Sequence, residues 1–79
     1  MQAVDVKLLL EKNMPDSQVF VDGEGCDFRL TVVSKAFQGV LPVKRQQMVY
    51  HHLNSHIASG EIHAVTMKTF TPNEWERNA

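Results

Sequence analysis

The chain has 79 residues, with nine acidic side chains against eight basic ones and 43% hydrophobic against 22% charged residues. That balance belongs to a folded globular domain rather than a disordered segment, and a formal net charge of −1 excludes a densely cationic surface of the kind that drives counterion-linked nucleic-acid binding. A chain this short builds one core, burying roughly 60% of its unfolded surface, and has no room for a deep substrate cleft, which argues against an enzyme.

The first helix is expected over Gln2–Asn13, where Val6, Leu9 and Leu10 fall on one face. Pro15 ends it, because the residue before a proline is pushed out of helical angles. Ser17–Val21 reads as a strand, and Asp22-Gly23-Glu24-Gly25 as the turn that follows. Asp27–Ser34 alternates Phe28, Leu30 and Val32 against Arg29, Thr31 and Val33, which makes a second strand and closes a hairpin with the first. After a connector over Ala36–Pro42, the period changes. Val49, Tyr50, Leu53 and Ile57 form a helical stripe, so a long covering helix is expected over Val43–Ser59, capped by Gly60 in the left-handed conformation. Ile62–Phe70 is the third strand, parallel to the second because a helix joins them. Thr71-Pro72-Asn73-Glu74-Trp75 then carries an N-cap, a first-turn proline and a capping-box glutamate, with Phe70 and Trp75 spaced for a hydrophobic staple. In this reading Trp75 seals the sheet rather than stacking on a ligand. The expected fold is therefore α/β (α+β), one domain over residues 1–79, in α-β-β-α-β-α order, with helices on one face of a three-stranded mixed sheet.

Cys26 is the only cysteine, so no intrachain disulfide can form. The apolar run Leu8-Leu9-Leu10 is too short for a signal segment, and no later stretch spans a bilayer. A reducing cytosol is the expected address. Cys26 has two readings: a small apolar residue at a strand entrance, or a metal ligand. Asp22, Glu24 and Asp27 beside it disfavour a free thiolate, whereas a bound cation would stabilise one. His63 likewise reads either as a strand residue sharing a face with Val65 and Met67, or as a ligand. If the second and third strands are parallel, Cys26 and His63 both lie at strand starts, and neighbouring strands run about 4.8 Å apart. A thiol and an imidazole suit zinc or iron; two ligands leave a tetrahedral site half filled.

The other candidates are weaker. His52 and His56 are four residues apart, but Leu53 stands where a metalloprotease helix needs glutamate, so His51, His52 and His56 read as a solvated helix face. Gly23-Glu24-Gly25 precedes a strand and is not a phosphate loop. Ser17, Ser34, Ser55 and Ser59 lie in no nucleophile motif.

Four segments in order, Phe37-Gln38-Gly39, Lys44-Arg45-Gln46-Gln47-Met48-Val49-Tyr50, Ile62-His63-Ala64-Val65 and Thr71–Trp75, resemble the BolA family, most closely its bacterial YrbA (IbaG) branch. The resemblance covers nearly the whole chain. It implies a fold like the type II KH domain and a non-enzymatic role in iron–sulfur trafficking or in iron and stress regulation, as a partner of monothiol CGFS glutaredoxins. It also implies a [2Fe–2S] cluster shared between the two chains, with His63 as a ligand and Cys26 as a second ligand or a close neighbour. The partner's cysteine and glutathione would complete the coordination. Some members of the family are described as transcription regulators, so DNA binding through the adjacent basic pair Lys44 and Arg45 is the alternative. The Gly-x-x-Gly loop with which KH domains grip phosphates is absent. A second copy of the chain is a further candidate partner.

Overall fold

Alternation along the strands decides where the core lies. The computed structural model describes residues 1–24 and 27–78. Strands β1 (Ser17–Glu24) and β2 (Asp27–Ser34) pair antiparallel, with Val19 opposite Val32. Strand β3 (Ala64–Phe70) pairs parallel to β2, with Met67 beside Leu30, so β2 is central in the order β1-β2-β3. Val19, Phe28, Leu30 and Val32 are buried on one face, as side chains two apart along a strand share a side.

Two helices cover that face. Val6 and Leu10 of α1 (Ala3–Asn13) and Val49 and Leu53 of α2 (Pro42–Ala58) join the strand residues in one cluster with Phe37 and Ile62. Each of these side chains contributes roughly 1.5–3 kcal/mol by leaving water. Phe37 enters from a short 3₁₀ turn, Lys35–Phe37, whose start is capped by the Ser34 hydroxyl accepting from the Ala36 amide at 3.1 Å. α1 is also tied to the outer edge of β1. The Lys7 ammonium donates to the Val19 carbonyl at 2.9 Å and to Glu11 at 2.8 Å, and the Val19 amide donates to the same Glu11 oxygen at 3.4 Å.

The third helix, α3 (Pro72–Asn78), forms as its cap predicts. The Thr71 amide donates to Glu74 Oε1 at 2.9 Å and the Glu74 amide donates to Thr71 Oγ1 at 3.2 Å. The Phe70 and Trp75 rings lie 5.4 Å apart, completing the staple. The expectation of helices on one face holds for α1 and α2 and is corrected for α3. Trp75 stacks on Phe20 at 5.4 Å and 25°, and Phe20, next to buried Val19, belongs to the opposite face. That face is partly apolar at this end, through Phe20, Val33 and Phe70, and α3 covers it there.

Five boundaries move, the first being that α1 begins at Ala3 rather than Gln2. β1 runs on through Asp22, Gly23 and Glu24, which were expected to turn; Glu24 pairs with Asp27, and Gly25 lies outside the described residues. Gly23 makes this extension possible. Its φ is +130°, and a Cβ there would collide with the Asp27 carbonyl oxygen. α2 begins one residue early, at Pro42, and ends at Ala58, with Gly60 at φ +84° as expected. β3 begins at Ala64 rather than Ile62. Ile62 turns into the core instead, 1% exposed, and its amide donates to the His56 carbonyl at 3.2 Å.

Candidate functional site

His63 sits on a short link whose preceding residues are all tied down. At the end of α2 the Glu61 carboxylate accepts from His56 Nδ1 and from the Ser59 hydroxyl, both at 3.0 Å. The His56 hydrogen bond, followed by that of Ser59, holds the Glu61 carboxyl below its ordinary range. Ile62 anchors the next position in the core. His63 is the first residue to face out: it is exposed and its side chain makes no hydrogen bond among the described residues, so its ring nitrogens are available to an external group. It lies just before β3 rather than within it, and so does not share a strand face with Val65 and Met67, which are partly buried against the core.

The register of the parallel pair fixes what lies beside it. Ala64, the residue after His63, is the Cα partner of Asp27. Asp27 is the residue after Cys26 in sequence. Cys26 itself lies outside the described residues, so the convergence of its thiol with His63 rests on these neighbours. A shallow concavity of about 370 Å³ opens at this end of the sheet, lined by Asp22, Gly23, Asp27, Arg29, Ala64 and Thr66. Asp22 and Arg29 form an ion pair across it at 2.8 Å, with side chains 77% and 69% exposed; an exposed pair of this kind contributes only about 0–1 kcal/mol. Among the described residues no three His, Cys, Asp or Glu side chains come together. These residues therefore offer an imidazole at the rim, not a closed metal cage.

The basic pair of α2 separates. Lys44 is exposed. Arg45 is 8% exposed: its Nε donates to the Val40 carbonyl at 2.7 Å, its Nη1 and Nη2 donate to Glu74 Oε1 and Oε2 at 2.7 and 3.4 Å, and the guanidinium lies 5.7 Å from the Phe37 ring centre. Arg45 lowers the Glu74 carboxyl from its ordinary range, with a smaller contribution from the Thr71 amide. Residues 45, 49 and 53 lie on one helical face, and Arg45, Val49 and Leu53 are the buried residues of α2. That stripe was present in the sequence, and reading Lys44 and Arg45 as a surface pair overlooked it. As placed, Lys44 alone of the two presents its charge to solvent.

The remaining histidines of α2 also divide. His51 is exposed, while His52 and His56 are half-buried, so the solvated face expected for all three holds only for His51. The rings of His51 and His52 meet edge-on at 5.4 Å. The Tyr50 hydroxyl donates to the Val65 carbonyl at 3.4 Å, linking α2 to the first part of β3. No helix of the described residues is long and apolar enough to cross a membrane.

Comparison with known proteins places this geometry in a family. Residues 6–74 match the family described as BolA-like protein. The chain is 48% identical over 69 residues to the protein of Acinetobacter guillouiae called "uncharacterized protein in rpoN-murA intergenic region", covering 87% of this chain and 83% of that one. It is 37% identical over 78 residues to the acid stress protein IbaG of Escherichia coli K12, covering 99% and 93%. The solved structure of a BolA homologue from Coxiella burnetii superposes with a TM-score of 0.88 at 36% identity, covering 98% of this chain and 99% of the other. The fold, the sequence match along nearly its full length, and the segment Ile62-His63-Ala64-Val65 at the start of β3 agree: the chain belongs to the BolA-like family.

Proposed function

We propose that this protein is a non-enzymatic partner of monothiol CGFS glutaredoxins and shares a [2Fe–2S] cluster with them in iron–sulfur trafficking or in iron and stress regulation. The observation that carries the reading is His63, whose side chain is exposed and has no hydrogen-bonding partner among the described residues, beside the strand end that follows Cys26 in sequence. An unpaired imidazole on a tethered link is a ready ligand for a soft or borderline metal. Iron bound there would be held by His63, with Cys26 as a second ligand or neighbour from this chain, and by the partner's cysteine and glutathione. An incomplete donor set suits a cluster held jointly by two chains. The membership of the chain in the BolA-like family supports the same reading, because the resemblance implies this partnership.

The test mixes the protein with a CGFS glutaredoxin, glutathione, iron and sulfide, and records visible absorption and circular dichroism of the complex. His63→Ala is expected to alter or abolish the spectrum, and Cys26→Ser to change it to a smaller degree. A spectrum unaffected by His63→Ala would reject His63 as a ligand.

A further inference from the structure

A second group of soft donors lies in a different part of the molecule. A cleft of about 490 Å³ opens where the end of α1 meets α2, lined by Met14, Asp16, Ser34, Lys35, Met48 and His52, among others. Met48 and His52 are one turn apart on α2, so their side chains are neighbours on one helix face. Met14 caps the end of α1 and is 8% exposed, while Met48 is partly buried against the core. His52 is half-buried, and its side chain makes no hydrogen bond among the described residues. Its ring meets the edge of the His51 ring, while His56, four residues on, turns to Glu61. Among the described residues no buried ring nitrogen is left without a partner, so those of His52 are open to the cleft and to an ion that enters it.

We propose that this cleft binds copper(I), held by the thioethers of Met14 and Met48 and the imidazole of His52. Thioether and imidazole donors favour this soft monovalent ion over hard divalent ions, which need oxygen ligands. The cleft offers little to the latter. Asp16 and Lys35 carry opposite charges that offset each other, and the Ser34 hydroxyl already accepts from the Ala36 amide. Methionine is flexible and polarizable, so its thioether adapts to irregular surroundings. The site shares no residue with the cluster reading and does not depend on it.

The test uses the full chain carrying Cys26→Ser and His63→Ala, which removes the thiol and the imidazole of the cluster reading; Met1, Met67, His51 and His56 remain and serve as internal controls whose resonances should not shift. Copper(I) is supplied without oxygen in competition with the chelator bicinchoninate, and the side-chain resonances of methionine and histidine are followed by NMR. One copper(I) per chain is expected, with shifts at the methyls of Met14 and Met48 and the ring of His52, and with no displacement by excess zinc(II). Met48→Leu, a volume-conserving swap, and His52→Gln should each weaken binding by at least about tenfold, or 1.4 kcal/mol, with the thermal unfolding midpoint unchanged. Failure to bind one copper(I), equal affinity in both variants, or displacement by zinc(II) would overturn the proposal. Because the Cys26→Ser and His63→Ala variant lacks both groups of the cluster reading, either result leaves that reading to its own experiment.

Discussion

Arg45 near the start of α2 and Glu74 in the first turn of α3 are joined by two hydrogen bonds, at 2.7 and 3.4 Å, although they are 29 residues apart in sequence. Glu74 also closes the capping box of α3, so one carboxylate both starts the last helix and holds it to the long one. Arg45→Ala should therefore loosen α3 as well as α2. It leaves the Val40 carbonyl without its donor, which costs about 1–3 kcal/mol if water does not replace it. Thermal unfolding followed through Trp75, the only tryptophan, should show a lowered midpoint. Arg45→Lys should recover little of it, because an ammonium cannot reproduce the two-pronged geometry. An unchanged midpoint in Arg45→Ala would contradict this account.

Acid should weaken the same junction. The Glu74 carboxyl is held below its ordinary value of 4.5, chiefly by Arg45, and that of Glu11 is lowered chiefly by Lys7. A carboxyl whose pKa is lower in the folded than in the unfolded state stabilises fully above the unfolded value, and that contribution fades as pH drops through the folded one. Stability should thus be level above about pH 5 and decline from there downward. Glu74→Gln should be less stable at neutral pH and show a shallower acid decline. Parallel curves for the two proteins, measured by urea unfolding between neutral and acid pH, would rule out Glu74 as a source of the decline.

His63→Ala should separate function from stability. The side chain is exposed and makes no hydrogen bond among the described residues, and surface substitutions of this kind usually change stability by less than about 0.5 kcal/mol. The urea midpoint should stay where it is while the spectrum of the mixed glutaredoxin complex changes. A large loss of stability would mean that the ring has an internal structural role.

Gly23→Ala should destabilise the sheet end that carries the candidate site. A φ of +130° is a glycine conformation, and the added methyl meets the Asp27 carbonyl oxygen on the neighbouring strand. Forcing such backbone costs on the order of 1–3 kcal/mol. Amide hydrogen exchange should speed up around Asp22, Phe28 and Val65 before it does at Val32. Uniform exchange across the sheet would show that the strand end is not the weak point.

Phe20→Ala should lower stability by about 0.5–1.5 kcal/mol beyond its lost buried area, the usual value of an aromatic pair, because Trp75 loses its stacking partner. The fluorescence of Trp75 should move toward that of a solvated indole. An unshifted emission would place the docking of α3 elsewhere.

What the sequence revealed depended on how local each cause was. The span of β2, the Val49–Leu53 stripe, the Gly60 cap and the capping box at Thr71 are set by neighbours a few residues away, and each appears where expected. The continuation of β1 through Gly23 depends on pairing with Phe28 across the hairpin, so local turn chemistry misled. The side on which α3 lies depends on Phe20, a strand residue more than 50 positions from Trp75. Arg45 was misjudged because its charge drew more notice than its place on the buried stripe. For the candidate site, the parallel register beside Ala64 agrees with the expected proximity of two strand starts. The exposure of His63 was not legible, because it follows from Ile62 turning inward one residue earlier.

The bridge from Lys7 and Glu11 to Val19 also bears on self-association. Unoccupied peptide groups on an outer strand invite further strands to add, and unlimited stacking requires both borders of a sheet to be open. At Val19, near the start of β1, those groups are engaged by an ammonium and a carboxylate, so a newcomer must displace a charged couple before it can bond there. Fibril growth through this border is thereby discouraged, and charge-neutralising changes at Lys7 or Glu11 would remove the guard while leaving the interior of the domain as it was.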